Sequence, residues 1–169
     1  MRLNSLRNRC VFLLLLPLLL IACDEDPTDP KPEADDDILE KAFLHISGIA
    51  APENTTAFYA FARVAADTTG SNTSDRSDIG LSLFNRFTHY TAPIRLYSSC
   101  TIALQLRHPD FDKPGILVCA GNVQRLSEYR AVLYIENFVA PLAAAGYVLE
   151  LERINGVWTV IREKLLWIS

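Results

Sequence analysis

Residues 147–168 read YVLELERINGVWTVIREKLLWI. Two runs rich in apolar and β-branched residues, Tyr147 to Ile154 and Val157 to Ile168, flank Asn155-Gly156. Asn-Gly in that setting predicts a hairpin with a type I′ turn, whose two central residues need positive φ. A two-residue loop also fixes the register. It sets Ile154 opposite Val157, Arg153 opposite Trp158, Leu151 opposite Val160 and Leu149 opposite Arg162. One face then carries Tyr147, Leu149, Leu151, Trp158 and Val160, with Arg153 expected over the Trp158 ring. The other face carries Glu150, Glu152, Thr159 and Glu163 and meets water.

Upstream of this hairpin the period is also two. Cys100, Ile102, Leu104 and Leu106 alternate with Thr101, Ala103, Gln105 and Arg107, which predicts a strand over 99–107. The stretch 108–115 is a turn by composition, and strands are expected over Ile116 to Val123 and Tyr129 to Phe138. Residues 57–66 combine strand-like aromatics with alanines that suit a helix, and a strand is favoured. Thr68 to Ser77 reads as a loop. Helical spacing appears twice. Ile38, Leu39, Ala42, Phe43 and Ile46 predict a helix over about 38–46 behind Asp37; Ile79, Leu83, Phe84 and Phe87 predict a second behind Ser77 or Asp78. The expected fold is α+β, an antiparallel sheet of four to six strands with one or two N-terminal helices on one face. A hairpin of this kind resembles that of cystatin-like and NTF2-like domains, and the resemblance implies a cone-shaped sheet.

Charge divides the chain into three parts. Residues 1–22 hold Arg2, Arg7 and Arg9 and no acid. Residues 23–37 hold eight acids against Lys31. Residues 38–169 hold twelve acidic and twelve basic residues and are neutral. The last segment suits one domain with one core. It is too short for a two-domain cofactor enzyme, a large barrel or a polytopic membrane protein, and it has no basic footprint for nucleic acid.

The first segment is an address. Its arginines precede an apolar run from Val11 to Ile21, interrupted by Pro17. A membrane-spanning helix needs about 20 apolar residues, so this run reads as a secretory signal. Leu20-Ile21-Ala22-Cys23 resembles a bacterial lipobox, which implies cleavage after Ala22 and a diacylglycerol on Cys23. Two or more acyl chains anchor a protein stably without spanning the bilayer. The stretch after Cys23, DEDPTDPKPEADDD, has three prolines and no large apolar residue, so 23–37 is expected to be an acidic disordered tether. Acids clustered behind the lipid cysteine resemble the export signal of surface lipoproteins in Bacteroidetes-like bacteria. Asp24 alone also resembles the inner-membrane retention signal of enteric bacteria. The clustering favours the outer membrane or cell surface over the periplasmic face of the inner membrane.

Cysteines and titratable residues give no strong signature. Beyond the cytoplasm Cys100 and Cys119 are free to bridge. Yet a simple hairpin of 99–107 with 116–123 would put Cys100 opposite residue 123, too far for a disulfide. Free thiols and a bridge between strands that are not simple neighbours both stay open. The chain has no Gly-x-Ser-x-Gly, Cys-x-x-Cys or His-Glu-x-x-His. His45, His89 and His108 are scattered, and Asp110 and Asp112 fit turn chemistry better than a cation loop. No catalytic residue, metal site or cofactor is expected.

The C-terminal stretch from Ala145-Gly146-Tyr147 through Asn155-Gly156-Val157-Trp158 to Trp167-Ile168-Ser169 resembles small exported proteins and lipoproteins of Bacteroidetes and related bacteria. Many of those carry a cysteine pair before the Gly-Tyr; Val139 and Ala143 stand there in this chain. The resemblance implies no activity. The expectation is a lipid-anchored envelope protein with a noncatalytic binding or interaction domain whose protein or small-molecule partner is open. The alternative is a small hydrolase-like envelope enzyme with an NTF2-like pocket, using a polar pair from His89, Glu136 or Glu150.

Overall fold

A computed structural model describes residues 32–51, 56–66, 68–69 and 75–169. The expected signal segment 1–22, Cys23 and positions 24–31 lie outside the described residues. The fold is α+β. Helix α1 (Pro32–Ser47) is followed by β1 (Tyr59–Val64), β2 (Arg76–Asp78), the short helix α2 (Leu81–Asn85) and β3 (Ile94–Leu96). Then come β4 (Thr101–Ile102), β5 (Leu106–Arg107), β6 (Ile116–Ala120), β7 (Gln124–Arg125), β8 (Arg130–Ala140), β9 (Ala143–Ile154) and β10 (Val157–Ile168).

Among the described residues the main sheet has eight strands, not four to six, and it is mixed and open rather than antiparallel throughout. Its continuous order is β10-β9-β8-β6-β1-β2. β6 and β3 run parallel to β1 on either side, and β2 takes the rest of β1's outer edge. β7 extends the pairing along the start of β8. The extra strands β2, β3 and β7 are two or three residues long, too short to leave a period in the sequence.

The hairpin forms where Asn-Gly places it. Asn155 and Gly156 have φ of 51° and 82°, as a type I′ turn requires. The register holds from Val157↔Ile154 to Val160↔Leu151 and then shifts at Ile161. This bulge puts Glu163, not Arg162, opposite Leu149. Glu163 therefore leaves its expected wet face and meets His45 of α1, Oε2 to Nε2, at 2.8 Å. Arg153 does not lie over Trp158. Its Nε donates to the Gly156 carbonyl, and Arg125 takes the ring position 5.6 Å from the centroid.

α1 begins six residues before the expected 38. Proline costs nothing at a first helical position, and acids in the opening turns favour the positive end of the helix dipole. Ion pairs fix those turns to the domain: Asp35 to Arg125, and Asp37 and Glu40 to Arg86. Asp35 to Asp37 thus belong to the folded unit, not to a tether. From Pro32 onward the chain has sixteen acids and twelve bases, so the folded unit is acidic rather than neutral.

α1 buries Ile38, Leu39, Ala42 and Phe43 against one face of the sheet. Phe43 stacks on Phe61 at 4.5 Å, and the Phe87 edge closes on Phe61 at 4.8 Å. The other face holds Phe58, Ala60, Ala62, Leu117, Cys119 and Tyr134, covered by Leu106, Tyr97, Cys100 and Phe111. The expected strand over 99–107 is broken: β4 and β5 pair with each other, and only a Leu106↔Gly115 bridge links them to the start of β6. Both edges of β6 are already taken, by β1 and β8. α2 is one short turn capped at Gly80. Asp78, an expected cap, instead accepts from the Ser98 backbone N and Oγ.

Candidate functional site

The face away from α1 carries a polar chain inside an apolar layer. Tyr134 and Glu136 are two apart on β8 and so share this face. Cys119 of β6 stands directly opposite Glu136, and Gly146 of β9 stands opposite it on the other side. Trp167 of β10 is in turn opposite Gly146. Four residues from four strands thus form one row across the sheet.

The missing side chain at Gly146 makes the row possible. A Cβ there would come within 2.2 Å of Trp167 Nε1 and 2.8 Å of the Tyr134 hydroxyl. The indole therefore crosses above β9, and its Nε1 donates to Tyr134 at 3.2 Å. Tyr134 donates to Glu136 Oε2 at 2.8 Å, and Arg76 of β2 donates to Oε1 at 2.8 Å. Both carboxylate oxygens are satisfied, and Glu136 is 3% exposed. Burial would lower the Arg76 pKa, but its bond and charge interaction with Glu136 outweigh this and hold the guanidinium charged. Burial, and then the charge of Glu136, pushes the Cys119 thiol up to about 12. The Tyr134 hydroxyl is raised by burial and by its bond to Glu136. The chain thus sets a guanidinium, a phenol and a thiol around one sealed acidic side chain. Its bonds tie β2, β8 and β10 together, and neither the thiol nor the phenol is activated as a nucleophile.

The residues singled out from the sequence lie apart. His89 lines a cavity of about 170 Å³ beside Ile49 and Ala92, its ring 4.2 Å from that of Tyr90. Glu136 is in the sealed chain. Glu150 pairs with Arg162 at 3.3 Å on the surface of β9. Cys100 and Cys119 are both free thiols. Cys100 Sγ lies 3.5 Å from the Leu96 carbonyl, its donor contact, and burial raises its pKa. The Asp110 backbone N–H donates to His108 Nδ1, and the Asp112 carbonyl accepts from Arg107, as turn residues do. No group of three or more metal-ligating side chains converges among the described residues.

Arg76 lies in a stretch whose composition reads as loop, and nothing local in the sequence links it to Glu136. One signal in the sequence marks the site: a lone acid two residues after a tyrosine in the run Ala131 to Val139, where Asn137 is its one polar uncharged neighbour.

The far end of this face is apolar and open. Leu104, at the β4–β5 tip, and Leu142, in the β8–β9 turn, are 74% and 89% exposed. Together with Ala103, Ala140, Pro141 and the single charge of Arg107 they line a groove of about 750 Å³. α1 starts at the opposite end of the long strands, where Asp37 and Lys41 meet Val157 and Trp158.

In comparison with known proteins, the chain matches no family model, no curated protein and no solved structure.

Proposed function

We propose that this chain is a bacterial lipoprotein of the cell envelope, anchored through acylated Cys23, with a noncatalytic binding or interaction domain. The observation that carries this is the lipobox Leu20-Ile21-Ala22-Cys23 behind a basic start and a short apolar run. Acids after the lipid cysteine support the outer membrane or cell surface as its place. With α1 starting at Pro32, only residues 24–31 separate Cys23 from the domain. Fully extended, they reach about 30 Å. Since α1 starts at one end of the sheet, the apolar tips of Leu104 and Leu142 are carried at the end far from the anchor.

The noncatalytic reading is supported by where the titratable groups lie. An acid–base pair needs two groups on one accessible reacting position. His89, Glu136 and Glu150 occupy three separate places, and the most buried of them has its partners already. We also read α1 across the long antiparallel strands β8 to β10 as the core of a cystatin-like or NTF2-like arrangement; the parallel pairs of β1 weigh against it.

Labelled palmitate tests the anchor in a lipoprotein-processing bacterium. The wild-type chain takes up label, and Cys23→Ser does not and accumulates as the longer precursor. Label retained by Cys23→Ser would refute the proposal. Cleavage by added protease in intact cells is expected for surface display; protection until lysis assigns an inner leaflet instead.

A further inference from the structure

Arg63 stands out among the arginines. Arg76, Arg86, Arg95, Arg125, Arg130 and Arg162 each have a carboxylate within 4.0 Å. Arg107 and Arg153 have none among the described residues but are exposed. Arg63 is half-buried at the end of β1, and no carboxylate lies at ion-pair distance among the described residues. Its Nη2 donates to two neutral oxygens, the Gly121 carbonyl at 2.9 Å and Asn122 Oδ1 at 3.4 Å. Its Nε is buried and has no acceptor. Asp35 and Asp36 act on it from a distance, and Asp35 is already engaged by Arg125 at 3.2 Å. Burial dominates and lowers its pKa, as expected of a cation short of a counter-charge.

Arg63 lines a cavity of about 440 Å³ together with Arg76, Ser77 and Asn122. Among the described residues Asp75 is the one acid on its wall, and it is exposed. The register sets Arg63 and Ser77 on one face of the sheet and Arg76, turned to Glu136, on the other. The Arg63 guanidinium is held in place before any ligand arrives, by Gly121 and Asn122. Preorganised donors lose little side-chain freedom on binding. A planar guanidinium is suited to a carboxylate or phosphate group.

We propose that this cavity binds a small oxyanion, a carboxylate or phosphate group, which serves as the counter-ion of Arg63 with Ser77 on the adjoining wall. The cavity borders Arg76, but Arg63 and Ser77 lie across the sheet from the sealed chain around Glu136, and the site does not depend on acylation of Cys23.

The test uses the full-length chain in detergent, with inorganic phosphate and succinate as probes and chloride at matched ionic strength as control. A saturable rise in Tm of about 5 °C is expected with at least one probe and not with chloride. A response to phosphate alone assigns a phosphate ligand, and a response to succinate alone assigns a carboxylate. Arg63→Gln is expected to weaken the apparent affinity at least tenfold, with its far-UV spectrum checked against wild type. Asn122→Asp covers the case in which that variant does not fold. It places a carboxylate beside Arg63, so it should raise Tm without ligand and abolish the anion response. No response in the wild type overturns the proposal. So does a response of undiminished affinity in whichever of these variants folds.

Discussion

On the helix side of the sheet, Phe43 lies flat on Phe61 and the edge of Phe87 meets both, with α1 supplying Ile38 and Leu39 beside them. On the other side a smaller apolar layer surrounds Arg76, Glu136, Tyr134 and Trp167, and it ends in exposed leucines at two loop tips. The first face is held by shape and burial, which are nondirectional and spread over many contacts. The second is held by bonds in series, Trp167 to Tyr134 to Glu136 from one side and Arg76 to Glu136 from the other. The contrast teaches that the two faces should fail differently. Truncation on the first loses packing in proportion to the volume removed. Truncation on the second strands a charge.

The largest effect separates them at once. Phe43→Ala removes a fully buried ring and is expected to cost about 3–5 kcal/mol in urea unfolding. A loss near 1 kcal/mol would mean that α1 is not the main cover of this face. Arg76→Met comes next, at about 3 kcal/mol, because it leaves the Glu136 carboxylate buried without its cation. The double variant Arg76→Met with Glu136→Gln should recover most of that loss. Additive losses in the double variant would show that the pair is not coupled.

Gly146→Ala sharpens the contrast with a single methyl group. The Cβ would fall on the Trp167 indole and the Tyr134 hydroxyl, so the indole must move off β9. A cost of about 1–3 kcal/mol is expected, with Trp167 emission shifted to the red. An unshifted spectrum at wild-type stability would remove the indole from its assigned place.

The smallest effect is alkaline. The Cys119 thiol is raised in the folded state to about 12, whereas in the unfolded chain it titrates near about 8.5. Above that pH the unfolded state releases a proton that the folded state keeps. The stability this group contributes is therefore present below about pH 8.5 and declines as pH rises towards 12. Tyr134 acts with the same sign. Urea midpoints should drift down from about pH 9, less steeply in Cys119→Ala, and an equal slope in both would exclude the thiol.

The helix face was largely legible in the sequence. Ile38, Leu39, Ala42 and Phe43 repeat at helical spacing, and Leu149, Leu151 and Trp158 follow from the two-residue turn. What local pattern cannot carry is where a ladder slips. The bulge at Ile161 leaves no mark in the alternation, yet it moves Glu163 to the other face. The start of α1 is hidden because PEADDD has the composition of a spacer; Arg86 and Arg125, far along the chain, make it a helix end. The second face was hardly legible. Its polar chain joins residues 76, 134, 136 and 167, and whether Glu136 is sealed or open depends on Arg76 and Gly146.

The anchor is the claim on which the proposed place of this protein rests, and the mature amino terminus tests it most directly. Mass spectrometry of the protein extracted from membranes should find an N-terminal peptide that begins at Cys23 and carries diacylglycerol. A chain that still begins at Met1, or an unmodified Cys23 at the new terminus, would contradict the account.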